Sequence, residues 1–273
     1  MNELRTKPNN GQLRTISEKF KPFVEILLKK TSITADQVSF AGLGFVIGGA
    51  ALKTISEYFG KDASLIAFAS MFLGVNCDWV DGMVAKIRES SSNKGAMNDL
   101  MVDRWEELFL AASRVAMASL RKDSIGVVSA VICGLTGVDP SLIRAKIEAL
   151  TGEYPSEMGI SPAALLGSRA PRAANGIINT SWPELFRIPI LNTYSQSVLD
   201  LISGVANFKL ARERNIIYHN LLESGSDFSK GDCNTKELGQ MKVEALTKFK
   251  VFNSLAIGLL GVAGLAYSLR HAP

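Results

Sequence analysis

Long apolar blocks alternate with short polar stretches along this chain. Several blocks approach the ~20 residues that an α-helix needs to cross the hydrocarbon core of a bilayer. A soluble protein holding this many apolar helices would need an unusually large core. The pattern therefore predicts an all-α fold, a polytopic membrane helix bundle of about six transmembrane helices. The six blocks are residues 40–56, 64–77, 108–120, 125–138, 188–206 and 251–268.

Polar breaks between the blocks set the predicted order of helices. Pro140 is expected to kink the fourth helix, because proline interrupts the helical hydrogen-bond ladder. Gly44 and Gly48 in the first span have the spacing that permits close contact with another helix. The predicted helices are 37–58, 63–88, a third from residue 95, 124–150, 186–214 and the C-terminal apolar block.

The two ends of the chain differ in character from its centre. Residues 1–36 are basic and can form an amphipathic helix, which suits the membrane interface on the cytoplasmic side. A soluble partner-binding helix is the alternative for this segment. We therefore divide the chain into a juxtamembrane segment at 1–36 and a membrane domain at 37–215. Residues 216–273 form a polar insert followed by the C-terminal apolar helix.

Composition narrows the classes of partner. The net charge of +4 suits attraction to anionic lipid, and no nucleic-acid-binding motif is present, so no nucleic-acid partner is predicted. Cys77, Cys133 and Cys233 form no CxxC pair and have no zinc-site spacing, which predicts unpaired thiols.

One polar stretch, residues 78–103, carries four aspartates at fixed offsets. Asp78 and Asp81 are three residues apart, and Asp99 and Asp103 are four apart, so each pair shares one face of its helix. The short polar turn between the helices makes them antiparallel neighbours. Both pairs can therefore meet at a similar depth.

Four carboxylates crowded in a low-dielectric site repel one another unless cations neutralise them. Oxygen-only ligation indicates Mg²⁺, Mn²⁺ or Ca²⁺ rather than zinc, and two such ions can clamp a displacement at phosphorus. The alternative is a set of surface aspartates paired with nearby cations. Those cations are Lys86, Arg88, Lys94 and Arg104.

The same stretch resembles the signature D-x2-D-G-x2-A-R-x8-G-x3-D-x3-D of the CDP-alcohol phosphotransferase (CDP-alcohol phosphatidyltransferase) family of integral membrane enzymes. Lys86 stands where the family has arginine, which keeps the charge but loses the bidentate fork. Seven of the eight fixed positions match, namely Asp78, Asp81, Gly82, Ala85, Gly95, Asp99 and Asp103.

The resemblance implies a role for each matched position. Asp78, Asp81 and Asp99 would ligate two Mg²⁺ or Mn²⁺ ions, and Asp103 would be both a ligand and the catalytic general base. A side chain in place of Gly82 would collide with the nucleotide. The TSITADQVS segment is similar to a family segment that precedes the first span; helix capping is the structural alternative for its Thr34 and Asp36. The residues implied for CDP-lipid binding are Thr34, Asp36, Gly82, Ala85, Lys86, Ser92 and Gly95.

The residues of the acceptor site are predicted from a second resemblance. The segment SLIRAKIEALTG is similar to one in the phosphatidylinositol phosphate synthase and phosphatidylglycerophosphate synthase-like members. It implies a phosphorylated alcohol bound by cations from several helix ends. Contacts of these cations with lipid head groups are the alternative. The residues concerned are Arg144, Lys146, Arg169, Arg172, Lys209 and Arg212.

Together these features predict a metal-dependent enzyme of phospholipid biosynthesis at the cytoplasmic face of a membrane, forming a homodimer as relatives commonly do. It would transfer a phosphatidyl or archaetidyl group from CDP-diacylglycerol or CDP-archaeol to inositol phosphate or glycerol phosphate, releasing CMP. Two alternatives remain open. The acceptor would be neutral in the first (serine, inositol or a diacylglycerol), and in the second the chain would be a non-catalytic membrane protein that binds a structural cation.

Overall fold

The computed structural model describes residues 30–90, 92–152, 194–224 and 232–271, with a few further positions between 22 and 28 and between 174 and 178. Within these parts of the chain the residues form helices and short turns, with no strand among them. The all-α prediction is confirmed to this extent. Most of the predicted N-terminal amphipathic helix lies outside the described residues and stays a prediction.

Seven helices make up the described part of the fold. Helices α1 to α3 correspond closely to the predicted first three helices, because polar turns bound them on both sides. The bounds are α1 Ala35–Tyr58, α2 Ser64–Ile87, α3 Asn93–Leu120, α4 Ser124–Thr136, α5 Asp139–Thr151, α6 Tyr194–Glu223 and α7 Cys233–Arg270.

Among the described residues, three helical segments are long and apolar enough to cross a membrane. They are Ala35–Tyr58, Ser124–Thr151 and Cys233–Arg270, of which the second comprises α4 and α5 together. Helices α2 and α3 have sufficient length, but both carry several charged side chains, which lower their hydropathy. Apolar helices of this kind support an integral membrane protein, and the count of about six spans stays a prediction.

Three predicted boundaries differ from the structure. The helix predicted to end at residue 214 continues in α6 to Glu223. The predicted helix 124–150 is divided into α4 and α5, with Pro140 in the first turn of α5, where its missing N–H costs nothing. The last helix begins at Cys233, well before the apolar block, because Asp232 caps it by accepting hydrogen bonds from the backbone of Asn234 and Thr235. The Thr235 hydroxyl and these amides hold the pKa of the exposed Asp232 carboxyl below its ordinary value.

Glycines bring α1 and α2 into close contact. A Cβ added at Gly74 would lie 2.6 Å from the Gly42 carbonyl oxygen and 2.6 Å from a methyl carbon of Val46. The predicted contact positions are different, since a Cβ at Gly44 or Gly48 meets no atom within 4 Å. The sequence spacing thus identified the right helix but the wrong face of it.

Helix α7 packs against α3, α4 and α5. Trp105 of α3 lies edge-on to Phe249, with ring centroids 5.4 Å apart, and contacts Phe252 at the same centroid distance. Asn253 donates a 3.0 Å hydrogen bond to the Gly134 carbonyl of α4, and Lys242 pairs with Glu148 of α5 at 2.9 Å. The C-terminal helix is therefore part of the same bundle as the helix that carries Asp99 and Asp103.

A buried ion pair joins α3 to α6. Arg114 Nη1 donates to Asp200 Oδ1, and both side chains are less than a tenth exposed. Removing either partner would leave a charge buried in a low-dielectric interior, which is strongly destabilising. The three cysteines, Cys77, Cys133 and Cys233, are free thiols, as predicted.

Candidate functional site

The turn between α2 and α3 positions the acidic residues. Ser92 caps α3, accepting a 3.1 Å hydrogen bond from the Gly95 amide. Thr34 caps α1 in a reciprocal box, in which its hydroxyl accepts from the Gln37 amide and its own amide donates to the Gln37 side chain. The capping alternative for Thr34 is thus correct, and Ser92 has the same structural role.

Three of the four predicted carboxylates converge. Oxygen atoms of Asp78, Asp99 and Asp103 all lie within 4.8 Å of one another. Asp103 is 7 % exposed, whereas Asp78 and Asp99 are half-buried. Such a group of hard oxygen donors from two antiparallel helices suits a divalent cation such as Mg²⁺ or Mn²⁺, so the donor set fits the predicted metal.

The fourth carboxylate, Asp81, has a different environment. It is 6 % exposed and accepts a hydrogen bond from the hydroxyl of Ser39 on α1. Ser39 also donates to the Ala35 carbonyl, one turn earlier, at 3.1 Å. Asp81 is therefore oriented by α1, while the other three aspartates come from α2 and α3, both of which pack against α1. Its predicted role as a metal ligand stays a prediction.

A cavity of about 680 Å³ opens beside this cluster, and Asp81 and Asp99 lie in its wall. All seven residues predicted to bind the CDP-lipid line it, from three different helices. Whether they bind it stays a prediction, but the structure brings them together. They are Thr34, Asp36, Gly82, Ala85, Lys86, Ser92 and Gly95.

Gly82 has the surroundings expected of a position that leaves room for a ligand. A Cβ added there would meet no atom within 4 Å, and the residue faces the cavity. A larger side chain would therefore occupy the cavity without disturbing the helix packing. The prediction that Gly82 provides space for the nucleotide is compatible with this geometry.

The predicted acceptor cations are less closely grouped. Arg144 Nε donates to Glu148 Oε1 at 2.8 Å, and Glu148 also accepts from Lys242. Lys146 lines a second cavity of about 430 Å³, next to Tyr218. Lys209 and Arg212 are exposed on α6. Arg169 and Arg172 lie outside the described residues, so their predicted role stays a prediction.

Sequence reasoning missed several residues of the large cavity. Arg88, Ser90, Lys94 and Ala96 line it, as does Ser39. Three of them had a sequence signal. Arg88 and Lys94 flank the same polar turn as the predicted residues, and their charges suit an anionic ligand. The contact of Ser39 with Asp81 spans 42 positions of the sequence, but Ser39 itself lies in the TSITADQVS segment, where its residue type matches the family.

The alternative in which nearby cations neutralise the aspartates receives partial support. Arg104 Nη2 is 3.9 Å from Asp103 Oδ2, but its Nη1 makes a much shorter contact of 2.7 Å with Glu107. Arg88 donates to the backbone carbonyl of Thr31. Arg104 thus divides its charge between Asp103 and Glu107, and this pairing is what supports the alternative.

Fold and site together define an all-helical protein with membrane-spanning helices and an acidic cluster beside an open polar cavity. Residues 33–168, just under half of the chain, match the family model described as CDP-alcohol phosphatidyltransferase. No curated protein matches the chain significantly. The matched segment contains α1 to α5 and the whole acidic stretch.

The matched family indicates the general type of reaction. The family is one of transferases of lipid biosynthesis, which act in a membrane and transfer a phosphatidyl group from a CDP-alcohol to an acceptor alcohol. The resemblance in the aspartate signature is thereby confirmed at the level of the family. The nearer resemblance to phosphatidylinositol phosphate synthase-like and phosphatidylglycerophosphate synthase-like members stays a prediction.

Proposed function

We propose that this protein transfers a phosphatidyl or archaetidyl group from a CDP-linked lipid to a hydroxyl of a small polar alcohol and releases CMP. The observation that carries the proposal is the convergence of Asp78, Asp99 and Asp103 beside the cavity that the predicted nucleotide-binding residues line. A ligand in this cavity would place its phosphates next to a group of hard oxygen donors.

The reaction breaks one bond and forms one bond at phosphorus. The oxygen of the acceptor hydroxyl bonds to the phosphorus that bears the lipid, and the phosphoanhydride bond to CMP breaks. Asp103 takes the proton of the hydroxyl, and the electron pair of the broken bond leaves with CMP.

Asp78, Asp99 and Asp103, with Asp81 beside them, would hold two Mg²⁺ or Mn²⁺ ions. When bound, such ions neutralise charge on the phosphate oxygens. The Ser39 hydroxyl fixes the orientation of Asp81. Gly82 leaves space for the cytidine diphosphate, and Lys86 supplies a positive charge in the cavity wall. These residues therefore bind and orient the donor, while Asp103 acts on the acceptor.

For the acceptor we favour a phosphorylated alcohol, inositol phosphate or glycerol phosphate. Support comes from the cationic side chains of Arg144 and Lys146 on α5 and from the exposed Lys209 and Arg212 on α6. A neutral acceptor (serine, inositol or a diacylglycerol) is the alternative, and one observation favours it: Glu148 neutralises part of the charge on Arg144. We place the site at the cytoplasmic face because of the basic N-terminal segment.

The test uses the purified full-length protein with radiolabelled CDP-diacylglycerol or CDP-archaeol, Mg²⁺ or Mn²⁺, and one acceptor at a time. We expect CMP release with a phosphorylated alcohol and no release in Asp103→Asn. Release with serine, inositol or diacylglycerol alone would support the alternative acceptor. A protein that binds divalent metal but releases no CMP with any acceptor would contradict the enzymatic proposal.

A further inference from the structure

Three cationic side chains line the large cavity on the side of the α2–α3 turn. Lys86 is in the last turn of α2, Arg88 is the residue that ends α2, and Lys94 is in the first turn of α3. The aspartates Asp81 and Asp99 lie in the wall of the same cavity. A ligand that carries phosphate groups would therefore meet the proposed metal site at the carboxylates on one side and these positive side chains on the other.

The structure holds Arg88 in one place. Its Nη2 donates a 2.8 Å hydrogen bond to the backbone carbonyl of Thr31, which precedes α1. A guanidinium has five N–H donors on three nitrogens, so this bond is compatible with a second one to a ligand. The bond also orders a long side chain that is exposed and would otherwise be mobile. Arg88 is thus oriented at the cavity before any ligand binds.

The backbone after Arg88 is unusual. Helix α2 ends in a Schellman motif, in which the Ser90 amide donates to the Ala85 carbonyl and the Glu89 amide donates to the Lys86 carbonyl. The residue in the left-handed position is Glu89, with φ of +50°, where helices ordinarily have glycine. A non-glycine residue there costs about 1 kcal/mol. The motif fixes the positions of Arg88 and Ser90 at the cavity wall.

Lys94 provides a second, independent indication that this wall binds an anion. The N-terminus of a helix carries a partial positive charge, so a lysine in the first turn of α3 is unfavourable for the helix alone. A bound anion removes this conflict, because it interacts favourably with both the lysine and the helix amides. A phosphate group bound in the cavity would therefore offset the unfavourable interaction between Lys94 and the N-terminus of α3.

We propose that the guanidinium of Arg88 binds a phosphate group of the cytidine nucleotide donor. This deepens the proposed function and rests on it. An arginine can bond two phosphate oxygens at once through its planar fork, whereas Lys86 and Lys94 each offer only a point charge. Arg88 thus supplies the bidentate contact that a lysine at position 86 cannot make. The ligand class is a cytidine nucleotide with one or two phosphates.

The test measures binding of CMP and CDP to the full-length protein in detergent with Mg²⁺ present, by titration calorimetry. We expect Arg88→Ala to weaken CDP binding about 10- to 100-fold, the range of one charge-assisted hydrogen bond to phosphate. We expect Arg88→Lys to weaken it by less. In the double variant Lys86→Arg/Arg88→Ala we expect affinity to recover in part, since position 86 lines the same cavity and would again supply a planar fork. Lys248→Ala, at an exposed ion pair on α7, is the matched control.

The outcomes separate this proposal from the proposed function. If the wild-type protein binds CDP and Arg88→Ala binds it equally well, the role of Arg88 is refuted and the function stands. If Lys86→Arg fails to restore binding while Arg88→Lys retains it fully, the planar fork is not what binds the phosphate, and the proposal is again refuted. A wild-type protein that binds no cytidine nucleotide contradicts both. If Arg88→Ala does not elute as a folded protein, Arg88→Gln replaces it, with the same loss expected.

Discussion

The hydroxyl of Ser39 on α1 donates a hydrogen bond to the carboxylate of Asp81 on α2. This bond fastens the first helix to the acidic segment at the edge of the cavity, and both side chains are nearly inaccessible to solvent. A charged acceptor and a neutral donor form a bond about twice as strong as one between two neutral groups. The orientation of Asp81 therefore depends on a helix that contributes no carboxylate to the cluster.

We expect Ser39→Ala to lower the rate of CMP release about 10- to 100-fold, the usual effect of removing a hydrogen bond that orients a metal-binding carboxylate. The loss should shrink as the Mg²⁺ concentration rises, because a misoriented Asp81 weakens metal binding. The control is Ser70→Ala, which removes another hydroxyl bond between α1 and α2, to the Phe45 carbonyl. Equal losses in both variants would show that helix packing, rather than Asp81, explains the effect.

We expect Asp103→Asn to reduce CMP release at least about 100-fold, since an amide cannot accept the proton of the acceptor hydroxyl. Because Asp103 is also a proposed metal ligand, CDP binding should weaken at low Mg²⁺ and approach the wild-type affinity at saturating Mg²⁺, where the rate stays low. Rates of CMP release and calorimetric titrations with CDP measure the two effects separately. Asp139→Asn, at a partly exposed ion pair with Lys250, serves as control. Activity retained in Asp103→Asn would assign the general base to another residue.

Removal of divalent metal should abolish CMP release, and addition of Mg²⁺ or Mn²⁺ should restore it. Asp99→Asn should raise the metal concentration required for half-maximal rate, since it removes one of three converging carboxylates. Dialysis against a chelator followed by metal titration provides the measurement. A rate that a chelator leaves unchanged would exclude the metal-dependent reaction, and restoration by Zn²⁺ alone would contradict the hard-cation assignment.

Alanine substitutions at Gly74 of α2 and at Gly44 of α1 should have opposite effects on the stability of the protein. Gly74→Ala places a methyl group 2.6 Å from the Gly42 carbonyl oxygen, which should destabilise the protein by about 1–3 kcal/mol. Gly44→Ala meets no neighbour within 4 Å and should raise stability by up to about 1 kcal/mol, the difference in helix propensity. Melting temperatures in detergent compare the two. A destabilised Gly44→Ala would mean that another molecule covers this face.

The ion pair of Arg114 and Asp200 predicts a strongly non-additive double substitution. Arg114→Met alone should lower the free energy of unfolding by about 3–5 kcal/mol, because Asp200 remains charged and buried. Replacing both, with Asp200→Leu, should recover most of this loss. Denaturation of the wild type, the two single variants and the double variant forms the cycle that measures their coupling. Additive losses would show that each residue acts independently.

Local signals in the sequence predicted much of the fold and of the site. Both ends of α1 and α2, and the start of α3, were predicted within two residues of their observed positions, because capping residues and polar turns mark them. The offsets of the aspartates predicted correctly that Asp78, Asp99 and Asp103 come together. Helical periodicity and short turns are local properties, so the sequence is sufficient to predict them.

Features that depend on distant contacts were missed. The first half of α7 contains Glu237, Lys242 and Glu244, so its sequence did not predict an apolar helix. This part of α7 is helical in the structure and packs against α5. The bond from Arg88 to Thr31 and that from Ser39 to Asp81 join residues 57 and 42 positions apart. The face of α1 that meets α2 was also misassigned, since glycine spacing alone does not show which side a neighbour occupies.

The contact of α7 with the aspartate-bearing helix has a practical consequence for anyone who shortens this protein. The family match ends at residue 168, yet Trp105, two positions after the proposed base, rests on aromatic rings of Phe249 and Phe252. A fragment cut at the end of the match would lose those rings and expose a bare indole beside Asp103. The family match therefore ends at residue 168, whereas the segment that must fold together with α3 extends into α7.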